Sequence, residues 1–122
     1  MNAPDPDLAV HVEDGLSKVT QVVETKISNA CKYIIEAEDH TLGNVLRMDM
    51  IEDPRVKFVG YRVPHPLKTS IEIKIQTNGP TYPPKKAMLD SCQRIMTICK
   101  EMDEDILNFE QRLSKDNDEH VF

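Results

Sequence analysis

Met88, Cys92, Ile95, Cys99, Met102, Ile106, Phe109 and Leu113 fall at spacings of 4, 3, 4, 3, 4, 3 and 4, an unbroken heptad seam. Residues 84–114 contain no glycine and, after Pro84, no proline, and Pro84 suits a first helical position. The pattern predicts one helix of about 46 Å over residues 84–114, at about 1.5 Å per residue. A sheet built from the strands available here spans only about 20–25 Å in either direction. The seam therefore continues past the cover that its own domain offers. Either a partner helix packs on it, or the helix kinks back, or the N-terminal arm folds over it. No Gly or Pro marks a kink, and the arm is acidic and poor in apolar residues, which favours a partner.

Alternate seam positions hold Cys92, Cys99, Ile106 and Leu113 in one set and Met88, Ile95, Met102 and Phe109 in the other. Small residues come early and large ones late, which suits a partner approaching closely at one end and leans toward a heterodimer. The run Asp103-Glu104-Asp105 lies mainly off the seam, as a solvated face.

The remainder of the chain predicts a small α+β domain. Residues 1–16, with two prolines and four acids, are expected to form a flexible arm. A valine-rich strand over 18–25 and an alternating strand over 31–38 follow, the latter with Cys31, Tyr33, Ile35 and Ala37 on one face. Asp39 is a candidate N-cap for a helix that runs to about Glu52, ahead of Pro54. Residues 56–63 read as a third strand, with Gly60 a bulge or close-approach site, and Ile71, Ile73 and Ile75 mark a fourth. The expected fold is a four-stranded antiparallel or mixed sheet with two helices on one face, in the order β-β-α-β-β-α. Residues 17–114 form the domain, and 115–122 a flexible acidic tail.

Composition excludes several kinds of function. Fifteen Lys and Arg against 21 Asp and Glu leave a net charge of −6, with three Phe, three Tyr and no Trp in 122 residues. Such a chain lacks the basic face and the stacking platforms of a free-standing DNA or RNA binder. No apolar run approaches the ~18 residues of a membrane span, and no signal peptide is evident, so a soluble intracellular protein without direct membrane contact is expected. Cys31, Cys92 and Cys99 form no CxxC pair and have no zinc spacing, and they read as small core residues in a reducing compartment. His11, His40, His65 and His120 are scattered, and no GxGxxG, P-loop or GxSxG occurs. No catalytic residue, metal site or cofactor is expected.

The first helix holds the segment His40-Thr41-Leu42-Gly43-Asn44-Val45-Leu46-Arg47. It resembles the HTLGNxLR signature of the RNA polymerase alpha family, which comprises the bacterial alpha amino-terminal domain, archaeal subunit L and the eukaryotic small alpha-like subunits. Asp53-Pro54-Arg55-Val56, the run Phe58 to Leu67 (FVGYRVPHPL) and Ile75-Gln76-Thr77 are similar to the eukaryotic and archaeal members. Met1-Asn2-Ala3-Pro4 is similar to the RNA polymerase II version rather than the one shared by polymerases I and III. The resemblance covers about residues 17–113. It implies a non-catalytic subunit that heterodimerises with a larger alpha-like subunit, seeds polymerase assembly for mRNA transcription, and works in the nucleus. Lys85-Lys86 alone is too little for an import signal, so entry with a bound partner is expected.

On a helical wheel Leu42, Val45, Leu46, Met48 and Met50 span one arc, with Asp49 inside it and Asn44 and Arg47 pointing away. The expected partner surface is therefore Leu42, Gly43, Val45, Leu46, Asp49 and Met50 of this helix together with the eight seam residues of the long one. Gly43 is expected to admit another backbone, since glycine inside a helix otherwise costs about 1 kcal/mol relative to alanine. Asp49 either meets a basic residue of the partner or reaches water at a frayed end. Arg47 resembles the family arginine that faces a large catalytic subunit, and His65, a turn residue between prolines, is a second candidate for that contact. The resemblance leaves open the subunit shared by polymerases I and III and an archaeal-type polymerase. A small enzyme of pterin-dehydratase type would need convergent histidines, which are lacking here. A stand-alone homodimeric cofactor protein is the remaining alternative.

Overall fold

The computed structural model describes residue 12 and residues 15–119. The elements are β1 (Val19–Val23), β2 (Ala30–Glu36), α1 (His40–Ile51), β3 (Val56–Arg62), β4 (Ser70–Thr77) and α2 (Pro84–Glu119). The four strands form one sheet in the order β1-β2-β4-β3, every neighbouring pair antiparallel. The expected arm over residues 1–16 lies almost wholly outside the described residues.

The core follows from the two-residue period of the central strands. Cys31, Tyr33 and Ile35 of β2 stand opposite Ile75, Ile73 and Ile71 of β4, and all six are buried. Helix α1 packs over β3 and β4 and inserts Leu46 and Met50, which are 2% and 0% exposed. The opening turns of α2 add Ala87, Met88 and Ser91 to the buried set. Chain contacts divide the protein after Ser91: the sheet, α1 and the start of α2 form one compact unit, and the rest of α2 a second.

Three local expectations change. Strand β1 spans Val19–Val23 and is exposed along its whole length, because it is the sheet's edge and pairs only with β2. The irregularity in β3 falls between Val56 and Phe58, so of the two readings of Gly60 the bulge fails and the close approach holds: an added Cβ would lie 3.1 Å from the Phe58 ring. Helix α2 continues to Glu119 instead of ending near residue 114, since residues 115–119 contain no Gly or Pro to stop it.

Among the described residues, two positions outside glycine adopt positive φ: Asn29 at 57° before β2 and Ala37 at 56° after it. Ala37 is buried, and its amide donates to Thr69 O at 2.7 Å, which holds the turn that leads into α1.

Candidate dimerisation surface

Helix α1 is set by its cap and by one close contact. Asp39 Oδ1 accepts from the Thr41 amide at 2.9 Å, satisfying a free donor of the first turn. A Cβ on Gly43 would lie 2.5 Å from Tyr61 Cδ2, so the glycine admits an aromatic ring of the chain's own β3 and not another backbone. His40 Nδ1 and Tyr61 Oη are 3.1 Å apart, and the two rings meet edge to face at 5.6 Å. Glycine, histidine and tyrosine together fix α1 on the sheet.

This packing divides the expected α1 surface. Gly43, Leu46 and Met50 are buried inside the chain and are unavailable to a partner, a correction to the wheel reading. Leu42 is half-buried, while Val45, Met48 and Ile51 are exposed at three-residue spacing. Met48 and Ile51 were not among the expected contacts, although that spacing was visible in the sequence.

Asp49 also turns inward. Ser91 Oγ donates to its Oδ2 at 2.6 Å, so the carboxylate is engaged with the start of α2 and neither frays into water nor stands free. A second cluster holds the same region. Arg55 stacks 3.9 Å above the Tyr82 ring and donates through Nε and Nη2 to Asp53. Tyr82 Oη donates to Asp90 Oδ2 at 2.8 Å, and Lys86 Nζ sits 3.2 Å from the other oxygen. Burial, then the hydrogen bond to Asp90, pushes the Tyr82 phenol up to about 12, and that same bond holds Asp90 below the usual carboxylate range.

Along α2 the seam changes character. Met88 is buried and Ile95 half-buried, whereas Cys92 and Cys99 are exposed and outside any disulfide, which corrects the reading of these two cysteines as core residues. Met102, Ile106, Phe109 and Leu113 are 58%, 63%, 58% and 48% exposed. Met96, Ile98 and Leu107 beside the seam are exposed as well, so the apolar stripe is wider than the eight residues alone. Together they make an apolar stripe along a helix of about 54 Å, a larger exposed apolar patch than monomeric proteins ordinarily carry.

The two remaining expected contacts are local. Arg47 Nη2 donates to Asn44 Oδ1 at 2.8 Å, and exposed His65 accepts the Leu67 amide on Nδ1 at 3.1 Å. On the other face of the sheet, a concavity of about 430 Å³ is lined by Lys32, Arg62 and Lys74 against Glu24 and Glu72, and these charges are paired with one another. Glu72 takes Arg62 at 2.7 Å and Lys32 at 3.9 Å, and Lys74 faces Glu24 at 3.8 Å. Among the described residues no group of His, Cys, Asp or Glu could hold a metal ion, and no helix is long and apolar enough to cross a membrane.

An antiparallel sheet backed by a capped helix, with an uncovered apolar stripe on a second, long helix, defines an α+β dimerisation module. The family described as the RNA polymerase Rpb3/Rpb11 dimerisation domain matches residues 30–105, and the chain belongs to that family. It is 51% identical to the DNA-directed RNA polymerase II subunit rpb11 of Dictyostelium discoideum over 83 residues, 68% of this chain and 69% of that one. The RPB11 subunit of Schizosaccharomyces pombe is 39% identical over 88 residues, 72% of this chain and 71% of the relative. In structure the chain is similar to the crystal structure of RNA polymerase subunit L from Thermoplasma acidophilum. The TM-score is 0.66 at 18% identity, over 87% of this chain and all of that one. The expected family and fold are thereby borne out.

Proposed function

We propose that this chain is the small alpha-like subunit of RNA polymerase II, a structural subunit that heterodimerises with the larger alpha-like subunit to begin polymerase assembly. The observation that carries this reading is the exposed seam from Cys92 to Leu113, which continues the apolar pattern of a helix whose first turns are buried. Removing large apolar groups from water stabilises a complex by about 25 cal/mol per Å², so such a stripe gains most from a partner of matching shape. Relatives that carry the polymerase II name over two-thirds of their length support this polymerase over the subunit shared by polymerases I and III.

The proposed partner surface is Leu42 and Val45, extended to Met48 and Ile51, with the seam of α2. Gly43, Leu46, Asp49 and Met50 support it from inside the chain. Arg47, steadied by Asn44, and His65, whose ring presents Nε2 once Nδ1 accepts the Leu67 amide, are proposed contacts to a large catalytic subunit. The chain contributes no catalytic group of its own, binds no cofactor, and acts in the nucleus, entering with its partner.

Light scattering after size exclusion tests this reading. Co-expression with the larger alpha-like subunit is expected to give a single 1:1 complex. A chain that elutes apart from that subunit would overturn it.

A further inference from the structure

We propose that, in the absence of any other subunit, the exposed seam of α2 pairs with a second copy of this chain in antiparallel register. Seam residue i of one copy then faces seam residue 201 − i of the other, and the residues flanking the seam meet their counterparts two positions to either side of that register. The sizes of the side chains along the seam favour this register. In that register Cys92 faces Phe109, Ile95 faces Ile106 and Cys99 faces Met102, and the two-fold axis repeats each layer. Every small seam residue between 92 and 109 thus meets a large one and every isoleucine meets an isoleucine, the interdigitation that fills an interface without voids. All six residues lie on the uncovered part of the helix, and five are exposed while Ile95 is half-buried.

The parallel alternative fits poorly. It stacks Cys92 on Cys92 and Cys99 on Cys99, leaving gaps, and crowds Phe109 against Phe109. It also sets Asp105 beside Glu110 of the second copy on both sides, at the flanking positions where like charges repel. In the antiparallel register Asp105 lies nearest Ile98 of the second copy, and Asp103 nearest Met96, so no two acids are nearest neighbours. The paired stretch from Cys92 to Phe109 is only about 27 Å long. Self-association is therefore expected in the micromolar range, tight enough to shelter the stripe and loose enough to yield to a better partner.

Sedimentation equilibrium of the unmodified chain under reducing conditions should show a monomer–dimer equilibrium. The register is read by a second measurement on Phe109→Cys, oxidised and mapped by mass spectrometry of unreduced peptides. The expected product is a covalent dimer bridged between Cys92 and the introduced cysteine. An intrachain bridge is ruled out, because those positions stand about 25 Å apart on one helix. Bridges joining only identical positions, or a chain that stays monomeric into the hundred-micromolar range, would overturn the proposal. Both measurements omit the larger subunit, so failure here leaves the heterodimer reading standing and is told apart from failure of that reading.

Discussion

Ser91 Oγ and Asp49 Oδ2 lie 2.6 Å apart, joining the third turn of α1 to the opening turns of α2. Ser91 is fully buried and Asp49 half-buried, so the bond is shielded from water. A hydrogen bond to a charged group in such a setting contributes about 1.5–3 kcal/mol. Ser91→Ala is expected to lower the unfolding free energy by about 1–2 kcal/mol, read from the urea midpoint. Asp49→Asn, which keeps an acceptor oxygen, should lose less and should leave affinity for the larger subunit within about twofold. A large affinity loss in Asp49→Asn would return the carboxylate to the partner surface.

Gly43 and Tyr61 form a second dependence. A methyl group at residue 43 would sit 2.5–2.9 Å from three atoms of the Tyr61 ring, including Cγ, close to the backbone. The ring must then shift and give up its place beside His40. Gly43→Ala is expected to destabilise by about 1–3 kcal/mol, although alanine gains about 1 kcal/mol in helix propensity. Adding Tyr61→Ala should make the Gly43→Ala change far less costly than it is alone. Thermal unfolding of the four members of that cycle checks the coupling, and simple additivity would show that the ring is not what glycine accommodates.

What was legible follows the range of the interactions involved. The alternation of Cys31, Tyr33 and Ile35 and of Ile71, Ile73 and Ile75 fixes faces through a period that needs no tertiary information. The Asp39 cap and the seam of α2 are likewise local patterns. The α1 surface was half legible, because a wheel shows which residues share an arc but not whether the chain's own sheet covers it; Leu46 and Met50 went to the core and Val45 stayed out. The Asp49–Ser91 and Arg55–Tyr82 contacts join residues far apart in sequence, and no spacing announces them. Ala37 at a φ of 56° has no sequence signal either, since alanine is not a residue that marks a left-handed turn.

The Tyr82 cluster sets a pH dependence on both sides. Tyr82 is raised to about 12, chiefly by burial, and Tyr33 also to about 12, by burial and then by neighbouring Cys31. A phenol whose folded value lies above the unfolded ~10 contributes stability that is present below pH ~10 and lost as pH rises through about 12. Asp90, held low by the Tyr82 hydrogen bond, contributes stability above its unfolded value of ~3.9 that is lost as pH falls below it. Tyr82→Phe is expected to flatten both limbs of a plot of denaturation midpoint against pH, leaving the Tyr33 share of the alkaline limb. Limbs of unchanged slope would show that the cluster does not bind protons differently in the folded chain.

If the seam is the partner surface as proposed, substitutions on it are expected to separate partner binding from folding. Ile106 is 63% exposed on a helix that keeps its backbone hydrogen bonds regardless of that side chain, so Ile106→Glu should shift the stability of the lone chain by no more than about 0.5 kcal/mol. In a complex the same position lies mid-stripe between Met102 and Phe109, where a buried carboxylate has nothing to compensate its lost hydration. Affinity for the larger alpha-like subunit is expected to fall by about 2 kcal/mol or more, roughly thirtyfold in Kd. Thr97→Glu adds the same charge on the opposite face of α2 and should leave that affinity unchanged, since Thr97 is exposed and its hydroxyl bonds back to Gln93 O of the same helix. Titration of the two variants by surface plasmon resonance reads the difference. Equal losses would mean that charge alone weakens the complex, and no loss in either would move the interface off the seam.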